Sequence, residues 1–254
     1  MLSNAPWNRE PVFCLTCDVD WASEAALDRT MDLFRDLDVR PTVFNTHPSP
    51  LLDRLAAEGG VDLGIHPNFL PGSSQGEGFE AVVDYLAKAV PGASCFRSHR
   101  YFDVTDTNVM LAEHGFTHDA NLFSFLCKLP PHRHFSGLIR FPTWWEDGTW
   151  LRNVGSLDPT GLTELFAPGL TILSVHPMHM AMNSPDFAYA RQVKDRVTRE
   201  EWTRMDLDDL AKVTHTGRGI RDFFADVAEA VLAKGYAFHT LGQLHDTFLQ
   251  HEAS

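Results

Sequence analysis

Short apolar runs alternate with helix-period stretches along most of this chain, and few architectures accept that alternation. An apolar run of four to eight residues suits a buried strand, and a helical stretch between two such runs lets them pair in parallel. Val12–Asp18 reads as a buried first strand. Ser23 can cap the amphipathic stretch Glu24–Leu37, whose apolar face carries Ala26, Leu27, Met31, Leu33, Phe34 and Leu37. Strands are expected at Thr42–Asn45, Val61–Ile65 and Ser94–Arg97, with helices at Pro50–Glu58 and Phe79–Val90 between them. Leu122–Trp150 has no clean period and reads as loops and short strands crossing a barrel mouth. Regularity returns with the strand Leu170–Val175, the helix Ile220–Lys234, the strand Tyr236–Thr240 and the helix Leu241–Gln250. The expected fold is α/β: a single irregular (β/α) barrel of about seven parallel strands with helices outside. One domain is expected over residues 1–254, since no low-complexity linker or internal repeat divides them.

Polar residues interrupt the strands at one end. The first strand runs out as TCDVDW, with Asp18 and Asp20 two residues apart. If the strand extends that far, both carboxylates share a face. Two such acids suggest a cation or an acid/base pair, although helix-capping acids after a strand are common. His66 ends the third strand in DLGIHPN, Arg97 and His99 end the fourth in CFRSHR, and His176 ends LSVHPMH. Sites of open and closed α/β sheets lie at the C-terminal strand ends. Three histidine-tipped strands beside a carboxylate pair therefore point to a site there.

These segments, in this order, resemble the polysaccharide deacetylases of the NodB-homology type, and most nearly the WbmS-like subgroup. The motif-bearing core spans roughly residues 12 to 180. TCDVDWA is similar to the family's TFDDG-type first motif, DLGIHPNF to the second, and FRSHR to the arginine motif. FPTWWED stands in place of the acidic-aromatic motif, and LSVHP of the last. The resemblance implies Asp18 as general base, Arg97 as the residue that orients it, and His176 as general acid. It also implies Asp20 and His66 as ligands of one divalent metal ion, Zn2+ first and Co2+, Mn2+ or Fe2+ as alternatives. Two departures stand out: Val19 separates the aspartates, and Leu70 occupies the place of the second histidine ligand. His99 is the candidate replacement, one pleat beyond Arg97. Asn68 is a weak donor for such a metal, and His134 or His179 could reach in from a loop. The implied reaction is amide hydrolysis: water activated at the metal attacks an N-acyl carbonyl, acetyl foremost, on a saccharide or small-molecule substrate.

On the substrate side, Trp144 and Trp145 are candidates to stack on a sugar or to pack a core, beside Phe141 and Trp150; Asn68 and His179 are further candidates. Asp147 could support a cationic His176. Gly72–Gly78 reads as a flexible loop over the mouth. Its GSSQG spells GxSxG but follows Pro71 in a polar loop, without the strand a nucleophile elbow requires. There is no GxGxxG after the first strand and no GxxxxGK[ST]. A net charge of −13 argues against nucleic acid and anionic membranes as partners. Cys14 and Cys17 form a CxxC inside an apolar run, which suits buried thiols better than a redox or zinc site. With no basic-then-apolar leader and no membrane-length apolar stretch, the expected address is the cytoplasm. Two other readings stay open: a deformylase or small-amide hydrolase on the same scaffold, and a non-catalytic glycan- or protein-binding domain that has lost its second histidine.

Overall fold

β1 (Pro11–Asp18) is buried along its whole length, as expected of a strand covered on both faces. The computed structural model describes residues 4–253. The other strands are β2 (Thr42–Asn45), β3 (Asp62–Ile65), β4 (Cys95–Phe96), β5 (His118–Asp119), β6 (His132–Arg133), β7 (Ile139–Arg140), β8 (Thr143–Glu146), β9 (Gly169–Val175) and β10 (Phe238–His239). The helices are α1 (Glu24–Asp36), α2 (Pro50–Ala57), α3 (Phe79–Ala89), α4 (Thr105–Glu113), α5 (Asp147–Asn153) and α6 (Pro177–Met182). They continue with α7 (Phe187–Lys194), α8 (Arg199–Arg204), α9 (Leu207–Lys212), α10 (Ile220–Ala233) and α11 (Leu241–Glu252).

The strands form one sheet in the order β6-β7-β5-β4-β3-β2-β1-β9-β8, with β10 also paired to β1. β9 follows β1 from Pro11 to Cys17, while β10 takes Phe13 and Cys14 and β2 takes Thr16 to Asp18. The sheet curls until its ends meet. Thr143 donates to the Leu122 carbonyl (2.7 Å), and Ser124 and Leu126 donate to the carbonyls of Thr143 and Trp144 (2.9 and 2.7 Å). The ring β5-β4-β3-β2-β1-β9-β8 makes the expected irregular barrel, while β7 and β10, parallel to β5 and β1, bring the parallel strands among the described residues to nine, more than the seven or so that the alternation predicts. β6 is antiparallel to β7 and lies outside the ring.

Pleating sorts the side chains. Phe13, Leu15 and Cys17 join Leu173, Val175, Trp145 and the buried faces of α1 and α10 in the largest core cluster. Val12 and Cys14 face the barrel interior with Leu170 and Ile172, closed below by Trp7, Leu241, Leu244 and Phe248. Further along the same face, Thr16 pairs in register with Ser174, and the interior turns polar. Cys14 and Cys17 fall on opposite faces, both buried and free. Ser23 Oγ accepts from the Ala26 amide at 3.2 Å, the expected cap of α1. No helix among the described residues is long and apolar enough to cross a membrane.

Candidate active site

The site stands where β1, β3, β4, β8 and β9 end. β1 stops at Asp18, so alternation cannot orient Asp20 as expected. Instead Asp20 and Trp21 adopt left-handed backbone (φ 45° and 57°), and this turn carries the Asp20 carboxylate over the barrel mouth. β4 also ends early, at Phe96, and His99 sits on a single 3-10 turn, not on a pleat. The turn is anchored by the His99 amide, which donates to Pro67 O at 2.8 Å. Nε2 of His66 and Nδ1 of His99 lie 3.1 and 2.9 Å from the same oxygen, Asp20 Oδ1. These three donor atoms are within 4.8 Å of one another. Burial would raise the Asp20 carboxyl, but hydrogen bonds from His66 and His99 outweigh it and hold the group well below the ordinary carboxylate range.

Beneath them Arg97 is fully buried. Its Nη1 is 2.8 Å from Asp18 Oδ1, Thr16 Oγ1 and Ser174 Oγ, its Nη2 is 2.7 Å from Thr143 Oγ1, and its Nε donates to Ala120 O at 2.9 Å. The polar end of the barrel interior is therefore built around one guanidinium. Asp18 is 3% exposed; its Oδ2 makes no protein hydrogen bond among the described residues.

His176 caps β9. Its Nδ1 donates to Asp147 Oδ1 at 2.6 Å, while Asp147 Oδ2 accepts from the His176 amide at 2.7 Å. The other ring nitrogen, Nε2, is 3.8 Å from both Asp20 Oδ2 and Glu146 Oε1. Burial would depress this histidine; the Asp147 charge and hydrogen bond outweigh it and hold the imidazole well above its ordinary range. Glu146 is bonded by Thr149 Oγ1, and burial pushes its carboxyl up.

A cavity of about 540 Å³ opens onto these groups, lined by Asp20, His99, Glu146, His176, His179 and Trp202 among others. Its size is typical of a small-molecule or sugar site. An adjoining hollow is lined by Trp21, Asn68, Arg199 and Trp202. His179 reaches the wall of the first and Asn68 that of the second. Trp144 and Trp145 reach neither: each is 1% exposed. Trp145 stacks on Phe223, and Trp144 lies under the Lys128 ammonium, 5.7 Å from its ring centroid. The barrel needs that bulk between sheet and helices, so the packing alternative holds for both tryptophans. His134 is engaged with Ser136 and does not line the cavity. The loop 72–78 is pinned, not free. The buried Gln75 accepts from the Asn68 amide (2.7 Å) and donates to the carbonyls of Thr46 and His66 (3.0 and 3.1 Å), and Ser74 accepts from Arg199 (2.7 Å). Trp21, Trp202 and Glu146 were not legible as wall residues; Glu146 next to Asp147 in FPTWWED was the one available signal.

The same barrel is found in solved carbohydrate-active proteins. A family 4 carbohydrate esterase from Bacillus anthracis superposes with a TM-score of 0.50 at 14% identity, over 96% of this chain and 86% of that one. The Bc1960 peptidoglycan N-acetylglucosamine deacetylase does so with 0.51 at 14% identity, over 94% and 89%. The fold is accordingly that of the carbohydrate esterases and deacetylases. More similar is a crystal structure from Bordetella bronchiseptica named for a polysaccharide deacetylase involved in O-antigen biosynthesis, with a TM-score of 0.75 and 29% identity over 85% of this chain and 90% of that one. The family described as WbmS-like polysaccharide deacetylase matches residues 15–194, and the chain belongs to it. No curated protein matches the chain.

Proposed function

We propose that the chain is a metal-dependent hydrolase that removes an N-acyl group, acetyl foremost, from a sugar or sugar-like substrate. The observation that carries the reading is the convergence of Asp20, His66 and His99 on one point beside a carboxylate-held His176, at the mouth of a sugar-sized cavity. One carboxylate and two imidazoles suit a borderline divalent cation, Zn2+ foremost, with Co2+, Mn2+ or Fe2+ also compatible. Such an ion, when bound, polarises the acyl carbonyl and lowers the pKa of a water toward ~7.

The chain's own groups supply the rest. Arg97 fixes Asp18 by one oxygen, which leaves Oδ2 to accept the proton of the attacking water. The imidazolium of His176 presents Nε2–H to the leaving nitrogen, while Asp147 holds Nδ1 and the positive charge. Trp21 and Trp202 stand at the walls, where a pyranose ring could lie against them.

The test is elemental analysis of wild type, His66→Ala and His99→Ala, joined to acetate and formate release over a panel of N-acyl sugars and small amides. Near one equivalent of metal in wild type, lost in both variants, with His176→Ala keeping metal and losing turnover, is the expected result. Metal lost only from His66→Ala would move the third ligand away from His99. A wild type without metal after reconstitution with zinc, cobalt, manganese or iron would overturn the hydrolase and leave a glycan-binding domain.

A further inference from the structure

The chain carries 34 acidic and 21 basic side chains (Asp and Glu against Lys and Arg). The cavity wall inverts that balance, with Arg100, Arg152, Arg191 and Lys194 against Asp20 and Glu146. The two kinds of charge are also layered. Asp20 and Glu146 are partly buried and already engaged, by His66 and His99 and by Thr149. The four cations are exposed and form the rim.

Their origins explain the placement. Arg191 and Lys194 are three residues apart on α7 and share a face. α5 packs against α7, where the Arg152 guanidinium lies 5.6 Å from the Phe187 ring. The Lys194 ammonium lies 5.8 Å from the Trp202 ring. Arg100 comes from the turn after β4, in left-handed backbone (φ 56°). Arg191 pairs with Asp195, but Arg100, Arg152 and Lys194 have no ion-pair partner among the described residues. In a chain with so many carboxylates, three unpaired cations around one opening form a positive ring in a negative field. That arrangement draws in and seats an anion.

We infer that the substrate carries an anionic group, a carboxylate or a phosphate, which is seated at this rim by Arg152 and Lys194 while the acyl group enters the floor. The inference rests on the N-acyl hydrolase reading of the same cavity and gives its substrate a charge. The cations stand at the rim and the catalytic groups at the floor, so the substrate must carry an anionic group that reaches the rim while its N-acyl group lies at the floor. An acetylated hexosaminuronic acid and a nucleotide-activated N-acetyl sugar both have this chemistry.

The experiment uses the full-length holoprotein and three probes: N-acetylglucosamine, N-acetylglucosaminuronic acid and UDP-N-acetylglucosamine. Binding by calorimetry and acetate release are followed for wild type, the double variant Arg152→Gln/Lys194→Gln, and Arg35→Gln as a remote charge control. One anionic probe should bind about tenfold or more tightly than the neutral sugar, as charge-assisted contacts permit. The advantage over the neutral sugar should shrink as salt rises and vanish in the double variant, with the Arg35→Gln protein unchanged. Which anionic probe gains identifies the source of the charge. Equal binding of all three probes, or no binding of either anionic one, overturns the inference. So does an anionic advantage that survives in the double variant, since that would place the anion elsewhere. Acetate released equally from neutral and charged probes, without rim dependence, removes this inference and keeps the hydrolase. Rim-dependent anion preference without acetate from any probe does the reverse.

Discussion

Arg97 holds a full charge where water does not reach, and each of its three guanidinium nitrogens has an acceptor. A buried pair of this kind contributes little net stability, because desolvation offsets the attraction, but it is costly to break on one side only. Its use is positional, since Asp18 cannot swing while Arg97 grips Oδ1. The Asp147–His176 contact does the same for a proton. Asp147 raises the histidine's affinity for H+, so the acid form persists to higher pH. Activity that needs His176 protonated falls as pH climbs through that raised value. Asp147→Asn removes the charge that raises it, so the alkaline limb of the rate profile should move to lower pH. The maximal rate should drop by about 10²-fold or more, with general-acid assistance impaired. A pH–rate series on the two proteins checks this, and an unmoved alkaline limb would assign it to another group.

Among the elements, what could be read from sequence follows from length and period. β1, α1, α10 and α11 are long enough for their apolar spacing to show, and Ser23 marks the start of α1. α4 carries Thr107 and Asn108 on its buried side, so its pattern is blurred, and β5 and β7 have two residues each, too few for any period. The site residues at strand ends, Asp18, His66, Arg97 and His176, stood out as polar groups closing apolar runs. The rim did not, since Arg152, Lys194 and Trp202 ride on short helices that tertiary packing alone brings to the mouth. Trp144 and Trp145 looked like sugar platforms because aromatic pairs serve both purposes; β8 is buried on both faces and takes them inward. β3 shows how tight such packing is. A Cβ on Gly64 would stand 2.7 Å from Phe44 Cδ1, 2.8 Å from Cys95 Sγ and 2.9 Å from Cys95 O. Gly64→Ala should therefore cost about 1–3 kcal/mol by overpacking, read as a lower urea midpoint at unchanged slope. An unchanged midpoint would mean that β2 and β4 part freely.

At the scale of the whole molecule, the barrel encloses groups that resist protonation. His118 is buried and stacked on His245, with ring centroids 4.4 Å apart. Burial, then the neighbouring His245, pushes its pKa from 6.5 down to about 3. The folded value lies below the unfolded one, so the unfolded chain binds the extra proton. Stability is intact above the unfolded value and is lost as pH falls from 6.5 toward 3, at roughly 1.4 kcal/mol per pH unit. His118→Phe should flatten the acid side of the stability curve by about one proton, measured by denaturation at several pH values. Parallel curves for the two proteins would show that His118 is not the group responsible.

The pairing of β1 also has a consequence for how the protein is made. Phe13 is flanked by Thr171 on one side and Phe238 on the other, both supplied late in the chain. A ribosome therefore delivers the fully buried β1 long before both neighbours of its N-terminal half. Until then, Pro11–Cys14 is an unpaired apolar edge, open to other nascent chains. A fragment that stops before Gly169 would not be a smaller barrel but a chain with that edge permanently exposed.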